Sequence, residues 1–320
     1  ISHHRQSRLR RSGVFSLNAQ EQSPTQPLEQ DTVRKVGLFG FWASFILYAT
    51  FLAPNVNPEA STALLPELFK LPGENTVNPI FLAVFGMLGV WPAVMAALLI
   101  PLQPMNQALK AWPFVTASVG LGAFGLTPYL ALTSYDQSVP TAPSAAASFV
   151  GSRAFGIFQL LSTLGAYGYA SGFFAPNDLN GGSDFPVDVI FAYFLKLFVA
   201  DFQTIKLVNI PSCDFVALWM LSSKPLYEDM KRRGWMKGEI ADWGLFLSFM
   251  LTPLIGVCTW LAVRPELKPA VVANSQGVVA DVGAFSDGAL PAGWQAGTDA
   301  ATGDSYYYND KGETSWERPS

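Results

Sequence analysis

The chain has 320 residues, of which 50% are hydrophobic and only 14% charged, against roughly 25% charged for an ordinary soluble domain. Its formal charge of −4 is too small to imply a polyanionic partner such as nucleic acid. The two histidines, His3 and His4, stand at the extreme N-terminus, which excludes a bis-histidine haem or a histidine-ligated metal within the apolar body.

Residues 1–35 are Arg- and Ser-rich with no acid before Glu21, and are expected to form a disordered basic tail or the remnant of an organelle transit peptide. Residues 36–53 (VGLFGFWASFILYATFLA) are the first predicted membrane span, closed by Pro54. A polar loop over 54–79 holds a short amphipathic piece, 63–70.

The next stretch organises the rest. Residues 80–100 and 112–133 carry no charge, and each is about the 20 residues with which an α-helix crosses a ~30 Å hydrocarbon layer. They are expected to form a pair of crossing helices. Gly86, Gly89, Gly120, Gly122 and Gly125 suit close helix contact in lipid, and the carbonyls freed by Pro92 and Pro128 can be satisfied by a neighbour.

Residues 134–152 read as a Pro/Ser/Ala-rich loop. The fourth span is 153–175, with Gln159, Ser162 and Thr163 able to bond across helices. Residues 187–202 contain Asp188, Lys196 and Asp201 among aromatic and aliphatic residues, a pattern that favours a helix lying in the interface. A fifth span, 208–226, is interrupted by Pro211 and Asp214; the turn 227–242 follows, and 243–263 is the sixth. The fold class is thus mostly α, a polytopic membrane bundle over 36–265 with about six crossings and both termini on one side. Positive charges near the span ends nearly cancel between the two sides, so the positive-inside rule leaves the orientation open.

Asp214 is the one carboxylate well inside a span, where acids are functional by default. Three roles compete: structural bonding to freed backbone, pigment ligation and proton chemistry. Gln159 and Asn209 are further candidate pigment ligands. The run Glu228–Arg233 reads as a solvated loop that pairs with itself or a neighbouring subunit. Cys213 and Cys258 have no metal or redox spacing and read as packing residues. The glycines at 120 and 122 follow no strand, which excludes a dinucleotide site, and no nucleophile–histidine constellation can be assembled.

Residues 266–289 form a weakly charged linker without strand or helix periodicity. The C-terminal 290–320 is the most specific part: Leu290-Pro291-x-Gly293-Trp294, Thr302-Gly303, Tyr306-Tyr307-Tyr308-Asn309 and Thr314-x-Trp316-x-x-Pro319. Strand alternation puts Tyr306 and Tyr308 on one face and Tyr307 on the other. Tyr307 can then join Trp294 and Pro319 in a small buckle, leaving Tyr306, Tyr308 and Trp316 as an exposed aromatic groove for a polyproline II ligand.

This pattern closely resembles the WW domain family, a three-stranded module that binds proline-rich peptides. The resemblance implies that Tyr306, Tyr308, Thr314 and Trp316 bind peptide and that Trp294, Tyr307, Asn309 and Pro319 are structural. The second turn is one residue shorter than usual and Asp310 stands where many relatives have histidine, which favours a Pro-Leu or plain polyproline ligand over Pro-Pro-x-Tyr.

The body resembles a family of small multi-span membrane proteins shared by cyanobacteria and plastids. The residues that carry this are Asn78-Pro79, Gly89-x-Trp91-Pro92, Ala111-Trp112-Pro113-Phe114, Pro128-Tyr129, Asp214-Phe215, Asp229-Met230-x-Arg232-Arg233-Gly234 and Arg264-Pro265. With an appended WW module, the chain is similar to linker subunits that join chlorophyll–carotenoid antennae to a photosystem core in red-lineage algae, of cryptophyte type. The resemblance implies a non-enzymatic scaffold in the plastid thylakoid membrane, with photosystem I favoured, stromal termini, and chlorophyll and carotenoid as possible cofactors. Its partners would be lipid, core and antenna subunits and a proline-rich segment. The alternative is a membrane enzyme or assembly factor of carotenoid or chlorophyll metabolism that uses Asp214.

Overall fold

The computed structural model describes residues 26–70, 76–104, 107–134, 144–171 and 187–267, and the strand segments 272–273, 279–280, 294–298, 305–309 and 314–315. The described residues are mostly helical. Among the described residues, two helices are long and apolar enough to cross a membrane, 31–52 and 79–99. By contact the chain divides into two compact units: 1–92, 113–134 and 168–221 in one, and 93–112, 135–167 and 222–320 in the other.

In the first unit α1 (Gln26–Leu47) continues as a π-helical turn, Tyr48–Leu52, and α2 (Pro58–Glu67) follows. Asn57 caps α2 by accepting from the Ala60 N–H at 3.0 Å, as an N-cap side chain does for an otherwise orphaned donor. Helix α3 (Pro79–Leu99) contributes its N-terminal part. Its start is fixed by Asn78, which accepts from Ile80 N and donates to Phe194 O on α8 (Val187–Thr204). Leu68, Val77, Phe81, Ile205 and Val208 form the apolar core at this end.

Residues 112–133 do not form one crossing helix. They fold as α4 (Trp112–Leu121) and α5 (Ala123–Leu132), broken at Gly122. The break is a reversal: the Phe114 and Tyr129 rings are 5.3 Å apart, whereas fifteen residues of straight helix would separate them by about 22 Å. Gly122 supplies the reversal with φ +52°, a conformation that side chains other than hydrogen avoid. The two arms also touch closely, since a β-carbon at Gly125 would press on the Ser118 backbone. Gly86, Gly89 and Gly120, in contrast, have nothing within reach of an added β-carbon, so they do not mark helix contacts in this chain.

Helix α1 packs along α5. The Phe45 and Phe124 rings stack at 4.4 Å, and Trp42 Nε1 donates to Phe124 O at 3.0 Å. That carbonyl is the one Pro128 leaves without its i+4 N–H donor. The indole therefore replaces a bond that proline removed.

Helix α9 (Lys206–Arg232) is continuous through Pro211 and Asp214 and extends six residues into the expected hydrophilic turn. Pro211 lies in the second turn of α9 and leaves the Leu207 carbonyl without its i+4 N–H donor, yet the helix runs on. The charged end stays helical through i,i+4 pairs, Lys224–Glu228 at 3.0 Å and Asp229–Arg233 at 2.9 Å.

In the second unit, α6 (Ala145–Gly151) occupies part of the expected 134–152 loop and α7 (Arg153–Ala170) follows. Residues 243–263 again reverse. Helices α10 (Ile240–Leu251) and α11 (Ile255–Val263) meet at Thr252–Leu254, where Leu254 has φ +65°. Phe249 and Trp260 pack at 5.8 Å, and a β-carbon at Gly256 would overlap the Phe249 carbonyl. Tyr167 on α7 donates its hydroxyl to Pro253 O at the apex, at 2.9 Å.

Within the expected linker, Val272–Ala273 pairs antiparallel with Val279–Ala280 as β1 and β2.

Candidate functional site

The C-terminal strands β3 (Trp294–Thr298), β4 (Ser305–Asn309) and β5 (Thr314–Ser315) form a three-stranded sheet in the order β3-β4-β5. The register pairs Trp294 with Asn309, Gln295 with Tyr308, Ala296 with Tyr307 and Gly297 with Tyr306. On the other edge Tyr307 pairs with Ser315 and Tyr308 with Thr314. Tyr306 and Tyr308 stand two residues apart on the central strand. Tyr308 and Thr314, both expected in the peptide groove, are direct cross-strand partners. Trp316 and Pro319 lie outside the described residues.

Asp214 is buried on α9, and its Oδ1 accepts from Ala123 N at 2.8 Å. The carboxylate thus caps the first turn of α5, where backbone donors are orphaned and the helix dipole favours negative charge. The same carboxylate fills the place of the missing Gly122 side chain, which a β-carbon would occupy. Asn209 accepts from the Tyr48 hydroxyl at 2.8 Å and donates to Phe202 O at 3.1 Å, so both ends of its amide have protein partners. Gln159 is buried on α7. One turn on, Thr163 bonds Gln159 O and lies 3.5 Å from Cys258 Sγ on α11, while Ser162 bonds only its own helix at Phe158 O.

The run Glu228–Arg233 is not a solvated loop. Asp229 is fully buried, and its Oδ1 accepts from Arg233 Nε at 2.9 Å. Its Oδ2 accepts from Trp260 Nε1 at 2.7 Å and from Arg264 Nη1 at 3.1 Å. Two buried guanidiniums share one carboxylate, and backbone oxygens balance the remaining charge. Arg264 also donates to Ala97 O and Val150 O, near the C-terminal ends of α3 and α6, where unpaired carbonyls present partial negative charge. Arg233 donates to Pro265 O. Burial pulls the Arg264 guanidinium below its usual range, against the opposing pull of Asp229. The sequence showed only a mixed-sign run; its partners in 260–265 lie about thirty residues away.

The described residues also line two apolar clefts. The first, about 420 Å³, lies between α1 and α9 and is lined by Leu38, Phe41, Phe45, Tyr48 and an α9 face from Cys213 to Leu221. The second, about 490 Å³, is lined by Val84 of α3, by Phe198, Val199 and Phe202 of α8, and by Ser212–Val216 residues of α9.

Compared with known proteins, the chain matches the WW domain family over residues 290–319. No curated protein matches the chain, and no solved structure does. The WW match assigns the C-terminal sheet to a protein-interaction module of the kind that binds proline-rich peptides.

Proposed function

We propose that this chain is a membrane-embedded adaptor: a non-enzymatic helical body anchored in lipid that presents a WW domain to a proline-rich segment of a partner. The observation that carries the reading is the joining of a WW domain to a body with helices long and apolar enough to span a bilayer.

In this reading α1 with its π-helical turn, α3, α7 and α9 cross, and the α4–α5 and α10–α11 pairs enter and leave on one side. The arms are too short to cross: ten residues in α4 and in α5, twelve in α10 and nine in α11. At 1.5 Å per residue they reach about 14–18 Å of a ~30 Å core. Trp112 and Trp243, both exposed at the start of a pair, suit the aromatic belt at the membrane surface. An even number of crossings keeps both ends of the body on one side.

The return of α11 also changes the charge balance. Arg264 meets Asp229 beside Arg233, and Arg153 Nε donates to Arg264 O. Arg153, Lys231, Arg232, Arg233, Lys237 and Arg264 therefore gather at one end instead of cancelling. The positive-inside rule assigns that end, from which the WW domain extends, to the cytosolic or stromal compartment.

The setting we assign is a plastid thylakoid, where the body would wedge between antenna and photosystem core subunits as a linker. Its support is the motif resemblance over 36–265. The test is recovery of the tagged full-length protein from solubilised membranes. Stoichiometric recovery of a photosystem with its antenna is expected, and recovery with neither overturns the setting. The adaptor reading is tested by binding of the full chain to a proline-rich peptide array, with Trp316→Ala as the variant. Binding lost in the variant is expected; binding unchanged overturns the groove assignment.

A further inference from the structure

Resting on the membrane reading above, we propose that the body holds one two-chain lipid with an anionic headgroup, one acyl chain in each cleft beside α9 and the headgroup on Lys206. The two clefts share Cys213 and Val216, so only the ridge that these two residues make on α9 divides them. Each lining is apolar, and each volume is comparable to that of one long fatty-acyl chain. A pair of parallel grooves astride one ridge fits a lipid with two chains.

The polar end of the site is defined by Lys206. It precedes Cys213 by seven residues, two helical turns, and so stands on the same α9 face, about 10 Å along the axis. Its Nζ reaches Thr50 O at 3.3 Å, two residues beyond Tyr48, which lines the first cleft. The Tyr48 hydroxyl is already spent on Asn209. Lys206 therefore supplies the positive charge at the mouth, and a phosphate or sulfonate headgroup complements it. A neutral hydrocarbon would make no use of it.

The test uses the full chain, purified in detergent, stripped of lipid and returned to nanodiscs containing phosphatidylglycerol, phosphatidylcholine or both. Retained lipid is measured by mass spectrometry, and helix content by circular dichroism. Preferential retention of phosphatidylglycerol is expected. Lys206→Gln should reduce that preference about fivefold, the worth of one lysine at an anionic surface. Val216→Trp, at a half-exposed ridge position, should end retention of both lipids with helix content unchanged. Equal retention of the two lipids by the wild type overturns the proposal. So does an unchanged preference in Lys206→Gln, or a light-absorbing pigment released from the clefts by Val216→Trp. A protein that stays soluble without detergent would instead overturn the membrane reading itself.

Discussion

Asp229 and Arg264 form an ion pair across 35 residues of sequence, Nη1 to Oδ2 at 3.1 Å, with side-chain exposures of 0% and 1%. The pair ties the end of α9 to the residue that follows α11. Between them the chain goes out and comes back.

The first prediction concerns that tie. Removing one member of a buried pair leaves the other charge uncompensated, at a cost of about 3–5 kcal/mol. Asp229→Ala strands two guanidiniums and the Trp260 indole N–H, so its loss is expected at the upper end of that range. Thermal unfolding in detergent measures it. A shift no larger than that of the exposed-pair variant Lys224→Ala, worth at most about 1 kcal/mol, would refute the account.

Topology follows from the same contact. Lys237 lies just before α10 and Glu266 just after α11. With Cys213 and Cys258 replaced by alanine, Lys237→Cys and Glu266→Cys should be labelled by a membrane-impermeant maleimide from the same side of sealed vesicles. Labelling from opposite sides would make 243–263 a crossing after all.

At the other reversal, Gly122→Ala should destabilise by about 1–3 kcal/mol through backbone strain alone, with a further loss from the clash with Asp214. Asp214→Ala removes the acceptor for Ala123 N, worth about 1–3 kcal/mol when buried. The double variant should cost less than the sum, because the clash needs both partners. Additive losses by thermal unfolding would separate the two residues.

The start of α10 is expected to be acid-sensitive. Backbone N–H groups of Lys237, Glu239 and Gly238 hold the Asp242 carboxyl below its ordinary value of 3.8. A depressed carboxylate stabilises above its unfolded pKa and loses that contribution as pH falls through its folded pKa. The protection factors of the Lys237, Gly238 and Glu239 amides, taken against the intrinsic exchange rate at each pH, should therefore be high at neutral pH and fall below about pH 4. In Asp242→Asn they should be low at both, and a wild type whose protection is indifferent to acid would refute the assignment.

Much of this architecture was legible in the sequence. The apolar runs become helices at nearly the expected positions, because an uncharged run of this length has no other way to satisfy its backbone away from water. What hydropathy cannot show is direction. Residues 112–133 count as one span or as two half-length arms equally well. The choice lies in the φ of Gly122, one glycine among several, and in a carboxylate 91 residues beyond Ala123. Asp229 was illegible for a related reason. Its neighbours in sequence are charged and hydrophilic, whereas its burial is decided by Trp260 and Arg264. The WW strands were the easiest part, since turn residues and paired aromatics carry their own local instructions.

The half-length arms have a mechanical consequence. In the membrane-embedded reading proposed above, each reversal would displace hydrocarbon from a single leaflet and leave the opposite one uninterrupted beneath its apex. Such an insert would act as a one-sided wedge, favouring bilayers already bent or thinned in that sense.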